Sequence, residues 1–168
     1  PDLGQRTLFQ KILVPLDESR ESESVLAHVK ALAELAEVEV LLLHVVHFPT
    51  EFVSSYPPDT VKMNEQVVEE GYERAQAYLE RVASDLKDDG LDVSTRVRVE
   101  VHPAAGIVHT AEEEGVDLVA MATHGRGGLG RTLLGSVTDK VVRGVHRPIL
   151  TVRPEEGSTE AVAGEEES

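Results

Sequence analysis

Five short runs rich in Val, Leu and Ile recur along this chain, each separated from the next by a helical pattern. They occupy residues 11–16 (KILVPL), 38–46, 93–99, 116–122 (VDLVAMA) and 148–152 (PILTV). Most are almost continuously apolar rather than alternating, which marks strands buried on both faces, as in a parallel sheet. Between them, Val25, Val29, Leu32 and Ala36 recur at helical spacing, with Ser22 or Ser24 placed to cap that helix. Val68, Tyr72, Ala75, Leu79, Val82 and Leu86 mark a long second helix ended by Gly90. Ile107, Val108 and Ala111 mark a third, from near Pro103 to Gly115. Val137, Val141, Val142 and Val145 mark a fourth, with Ser136 at its N-cap. The order β-α-β-α-β-α-β-α-β with right-handed crossovers predicts an α/β fold: one doubly wound, five-stranded parallel sheet with helices on both faces. A length of 168 residues suits one such domain.

The two ends differ from this pattern. Residues 154–168 hold six Glu, no basic residue and little that is apolar, the composition of a disordered acidic tail. Residues 1–8 read as a loose leader, leaving 9–153 as the folded domain. Residues 48–60 (FPTEFVSSYPPDT) read as the one long connection, suited to a lid or an interface segment.

Composition narrows the function classes. Asp and Glu number 31 against 16 Lys and Arg, a formal net charge of −15. An acidic protein of this kind lacks the basic face that nucleic acid or a polybasic membrane contact requires. With no Cys there is no thiolate metal site and no Cys nucleophile, which fits a reducing, cytoplasmic setting. No apolar run approaches a membrane span, and no charged-then-apolar leader is visible, so neither membrane insertion nor secretion is expected. The His residues show no metal-ligand spacing, and no Ser-His-Asp set is readable, so no catalytic residue and no protein-held metal is assigned.

The strongest chemical signal is the stretch 123–136 (THGRGGLGRTLLGS), which carries five Gly and two Arg between a buried strand and a helix N-terminus. Glycines let backbone N–H groups turn toward an anion, and the helix dipole adds partial positive charge. Arg126 and Arg131 supply local positive charge on an acidic body. Residues 125–130 read G-x-G-x-x-G, yet the helix begins only near Ser136 and no acidic residue ends a following strand, which argues against a dinucleotide fingerprint. Residues 130–136 read G-x-x-x-x-G-S and lack the Lys of a phosphate-binding P-loop. His44, within LLLHVV, reads as a hydrogen-bonded core histidine. Asp17 reads as a carboxylate that bonds its own turn rather than as a general base. Glu112, Glu113 and Glu114 read as a solvated helix face.

At this point the chain resembles the universal stress protein family. That family's ATP-binding motif is G-x-x-G, nine residues, then G-S or G-T. Here Ala122-Thr123-His124-Gly125, nine residues, and Gly135-Ser136-Val137 reproduce every spacing. The opening KILVPLDES and the closing HRPILTVR are also similar to the family's first and last strands. The resemblance implies a Rossmann-like sheet of the adenine-nucleotide alpha-hydrolase type, usually dimeric. It implies that Gly125, Arg126, Gly127, Gly135 and Ser136 surround the phosphates of ATP, ADP or AMP, with Ala122 and Val137 beside them. Asp17 would face the ribose or a Mg²⁺ ion, and Pro15, Val40 and Met121 would line the adenine and ribose pocket. One position departs from the motif, because its first Gly is Ala122. A glycine required for positive φ would make Ala strained, one required for close approach would let a methyl intrude, and one that merely ends the strand would make Ala harmless.

The expected function is therefore an ATP-binding stress-response protein acting as a nucleotide-gated regulator or partner, with at most slow hydrolysis. The alternative is a nucleotide-free dimeric scaffold of the same fold. A third reading, a small-molecule enzyme of the related nucleotidyl-transferring folds, needs a second pocket for which only residues 48–60 are available. The last strand, from Pro148 through Val152, is expected at a sheet edge, where it would pair with a second copy to form a homodimer.

Overall fold

The computed structural model of the protein describes residues 9–48, 58–123 and 134–154. The expected leader, most of the long connection, the centre of the glycine-rich stretch and the acidic tail lie outside the described residues. Within them the chain runs β1 (Lys11–Pro15), α1 (Arg20–Glu23), α2 (Leu26–Leu35), β2 (Glu39–His47), α3 (Pro58–Asp88), β3 (Asp92–Glu100), α4 (Pro103–Glu113), β4 (Leu118–Ala122), α5 (Ser136–Gly144) and β5 (Ile149–Val152). The five strands form one sheet in the order β3-β2-β1-β4-β5, and every pairing is parallel. The doubly wound α/β sheet read from the apolar runs is the observed fold. Strand order reverses between β1 and β4, and β5 lies at one margin.

Each face of the sheet has its own core. Ile12, Val14, Val40, Leu42 and Ala120 face Val25, Val29, Leu79, Val82 and Leu86, which come from the α2 and α3 side. Leu13, Leu41, Leu43, Val119 and Met121 face Ile107, Ala111 and Val141 of α4 and α5. Strands covered on both faces have no solvent side, which is why their sequences do not alternate.

Three helical expectations are corrected. The first pattern splits into two helices because its serines bond backward to carbonyls: Ser22 Oγ donates to Ser19 O at 2.9 Å and Ser24 Oγ to Glu21 O at 2.6 Å. Ser19, not Ser22 or Ser24, caps α1, and Val25 sits at the N-cap of α2 without a side-chain bond. The second pattern begins earlier than the Pro-Pro pair suggests, because Pro58 occupies the first helical position, where its missing N–H costs nothing. Its buried stripe also starts later, at Ala75; Tyr72 and Val67 are exposed. A helix of 31 residues is roughly 46 Å long at 1.5 Å per residue, whereas a nine-residue strand spans about 30 Å, so its first turns outrun the sheet. Finally, Ser136 is the first residue of α5, and Gly135 is its N-cap.

The carboxylates of α4 are not merely solvated. Glu114 bonds Lys11 Nζ at 2.9 Å and also Arg96, while Glu113 takes Arg98 at 2.9 Å and Arg96 at 3.1 Å. Hydrogen bonds from Lys11 and from Arg98 hold Glu114 and Glu113, respectively, below the ordinary carboxylate range. These pairs lie over the outward residues of β3 and tie α4 to β1 and β3.

Close packing of α4 on β2 depends on Gly106. A Cβ there would meet both γ-carbons of Val45, at 2.8 and 3.0 Å. With both branches in the way, no rotamer of Val45 clears the contact. Gly106→Ala gains about 1 kcal/mol of helix propensity, but overpacking costs roughly 1–3 kcal/mol. The expected result is a net loss of stability, read as a lower Tm in thermal unfolding; an unchanged or raised Tm would mean that α4 shifts away freely.

Candidate nucleotide site

In an open parallel sheet, two neighbouring loops at the strand-order reversal leave the carboxyl edge in opposite directions and open a crevice between them. Here those are the loops after β1 and β4. The backbone N–H of Leu16 extends the pairing of β1 by donating to Leu43 O at 2.8 Å. The loop then closes on itself. Asp17 N–H donates to Ser22 Oγ at 3.3 Å, and Asp17 Oδ1 accepts from Ser19 N–H at 3.1 Å and from the Ser19 hydroxyl. Ser19 Oγ in turn accepts Ser22 N–H at 3.0 Å. Asp17 thus bonds its own turn, as its place in the sequence suggests, and one carboxylate oxygen is fixed by two donors.

On the other side, Ala122 ends β4. Among the described residues Glu18 alone has positive φ without being glycine, so Ala122 carries no backbone strain. Its carbonyl accepts the Thr138 hydroxyl of α5 at 3.1 Å. The glycine-rich stretch is tied at its base, because Gly135 N–H donates to Thr123 O at 2.7 Å and Thr123 N–H to Val152 O at 2.8 Å. That spends the Gly135 N–H on closing the loop. Gly135, the N-cap of α5, offers no side chain to the N–H groups of the first turn, which begins with Ser136 and Val137. Gly125, Arg126 and Gly127 lie outside the described residues.

The remaining expected residues divide in two. Pro15 ends β1 and Met121 lies on β4 one residue before its end, so both reach the carboxyl side of the sheet. Val40 does not. It pairs with Ile12 and Val93 near the amino end of β2, three positions before Leu43, the partner of Pro15, and it is 0% exposed in the core. Two valines of β2 do reach the carboxyl end, Val45 and Val46, and Val45 is half-buried on the same face as Met121.

His44 is also nearer the site than a core histidine would be. Its Nε2 lies 3.9 Å from Glu18 Oε1, and its ring meets the edge of Tyr78 with centroids 6.2 Å apart. Glu18 carries φ 68°, and its carboxylate lies 3.4 Å from Arg74 Nε on α3. Nothing in the residue type signals such a backbone, and sequence reasoning missed it.

The profile of the universal stress protein family matches residues 8–153. This chain belongs to the universal stress protein family. Among its curated relatives, the universal stress protein MJ0577 of Methanocaldococcus jannaschii is 35% identical over 156 residues, covering 87% of this chain and 96% of that protein. The solved structure of MJ0577 superposes with a TM-score of 0.77 at 33% identity, covering 90% of this chain and all of that one. More distant universal stress proteins share the fold. An Arabidopsis thaliana member, solved with AMP bound, gives a TM-score of 0.59 at 17% identity over 86% of this chain and 91% of its own. Another, solved in complex with cAMP, gives 0.60 at 20% identity over 86% and 97%. No helix among the described residues of this universal stress protein is long and apolar enough to cross a membrane.

Proposed function

We propose that this universal stress protein binds ATP, or a related adenine nucleotide, in the crevice between the loops after β1 and β4, and works in the cytoplasm as a nucleotide-gated regulator rather than as a fast enzyme. The observation that carries the reading is the pairing of a fixed Asp17 loop with a glycine-rich stretch tied at Thr123 and Gly135 beside the start of α5, whose N-cap is a glycine. Met121, Pro15 and Val45 offer apolar or half-buried surface for the base and ribose. Ser136, Val137 and the segment with Gly125, Arg126 and Gly127 take the phosphates. AMP and cAMP in two relatives agree with an adenine nucleotide as the ligand class.

Mg²⁺ fits as a companion of the phosphates. It keeps most of its waters and needs only one or two protein carboxylates, and Asp17 supplies one in the loop after β1. Among the described residues no cluster of three metal-ligating side chains stands ready to hold an ion alone.

The proposal includes assembly. β5 is an edge strand with Ile149, Leu150 and Val152 only partly buried, and pairing with the same strand of a second copy would cover it.

Binding is tested by thermal unfolding with and without ATP and Mg²⁺. A ligand present at about 100 times its Kd and binding only the folded state adds ~2.7 kcal/mol. For a domain of this size that is a rise of roughly 5–10 °C in Tm. A protein whose Tm is unmoved by millimolar ATP, ADP and AMP is the scaffold and not the regulator.

A further inference from the structure

The hydrogen bonds among Asp17, Ser19 and Ser22 fix the shape of the turn that carries Asp17, but not its place on the body of the protein. α1 is four residues long, one turn, and a single turn does not stand alone in water. Its position must come from what it touches: β4 at the backbone level, and α3 through side chains. Glu23, the last residue of α1, accepts a hydrogen bond from Tyr78 Oη at 2.9 Å. Arg81, one turn further along α3, approaches the same carboxylate at 3.8 Å and lies over the Tyr78 ring at 5.4 Å. At the other end of the turn, Glu18 reaches Arg74 of α3 at 3.4 Å and His44 of β2 at 3.9 Å. Glu18 sits in left-handed backbone, a conformation that persists at a non-glycine only where the surroundings fix it. α3 therefore grips the turn at Glu18, within the closed ring of Asp17, Ser19 and Ser22, and at Glu23, just beyond it.

The two grips are unequal. The Arg74 side chain is 70% exposed, and an ion pair so open to solvent is weak. Tyr78 is half-buried, and its bond to a carboxylate is charge-assisted. Burial and the neighbouring Glu23 also push the phenol above its ordinary range, so it stays a donor throughout the neutral pH range.

We propose that Tyr78 is a positioning residue for the nucleotide site: its hydroxyl holds Glu23, Glu23 holds α1, and α1 sets the Asp17 carboxylate toward the crevice. The inference rests on reading that crevice as an adenine-nucleotide site. It makes α3, which contributes no proposed ligand contact, part of the binding machinery.

Tyr78→Phe removes only the hydroxyl and keeps the ring against His44 and beneath Arg81. Titration calorimetry with ATP and Mg²⁺ should show affinity about tenfold weaker, the scale of one lost bond to a charged group. Asp17→Asn separates positioning from general loosening. In that background Tyr78→Phe should change affinity little further, because its effect passes through the Asp17 carboxylate. Glu23→Gln, which can still accept the phenol's bond, should bind more tightly than Glu23→Ala. Wild-type affinity in Tyr78→Phe, or an equal loss with and without the Asp17 carboxylate, overturns the role of Tyr78 alone. A wild-type protein that binds no adenine nucleotide overturns the site reading and this inference with it.

Discussion

Gly135→Val is expected to abolish the nucleotide-dependent rise in Tm while leaving the fold in place. The backbone at Gly135 has φ −67° and ψ 161°, an extended conformation that any residue adopts. Glycine is therefore not needed there for its backbone, and the remaining reason for it is close approach. Its N–H is already given to Thr123 O, and valine keeps that bond. The cost to the apoprotein is that of a poor N-cap, about 1 kcal/mol or less relative to glycine. The cost to binding is larger, because two γ-methyls would stand where the proposed site brings the phosphates to the first turn of α5. The shift of roughly 5–10 °C produced by saturating ATP should vanish in the variant and shrink in Gly135→Ala. A Gly135→Val protein that still shows the full shift would move the phosphates away from α5 altogether.

What the sequence disclosed, and what it did not, follows from the range of the interactions involved. The five strands were legible because double-sided burial forces continuous Val, Leu and Ile, as in the 0% exposed Ile12, Val14, Leu42 and Val119. Gly90 and Gly115 were legible as helix ends because positive φ, 88° and 59°, is a local demand that glycine meets. The loops after β1 and β4 were legible because strand order and motif spacing both point to them. Val40 went astray because a strand's apolar run says nothing of which residue reaches the carboxyl edge; the register with β1 decides that, and register is non-local. Glu18 was invisible for the opposite reason to Gly90: glutamate has no preference for the left-handed backbone it adopts, and its partners, Arg74 and His44, are far away in sequence. The link from Tyr78 to Glu23 spans 55 residues, a distance at which no periodicity carries information.

Thr151→Pro should convert a dimer to monomers without unfolding the subunit, and the register of β5 explains why the two effects separate. Pro148 O accepts Val119 N–H at 3.0 Å and Val152 O accepts Thr123 N–H at 2.8 Å, so the even-numbered carbonyls of β5 face β4. In a parallel strand the odd-numbered groups then face outward, and the N–H of Thr151 points from the open margin of the sheet. Proline at 151 leaves the β4 ladder untouched and demands extended backbone at Leu150, which a strand already has. The Thr151 side chain is exposed, so its loss takes little from the core. A two-fold pair of β5 strands would lose the outward bond twice. At roughly 1 kcal/mol for each bond that is about 2 kcal/mol per dimer, or on the order of 30-fold in the dimer Kd, before the bulk of two facing rings is counted. Light scattering after size exclusion should give a dimer for the wild type and for Thr151→Ala, which keeps the N–H, and a shift to monomer for Thr151→Pro. Equal dimer populations in all three would place the subunit contact elsewhere on the surface, and a monomeric wild type would mean that β5 ends the sheet without a partner.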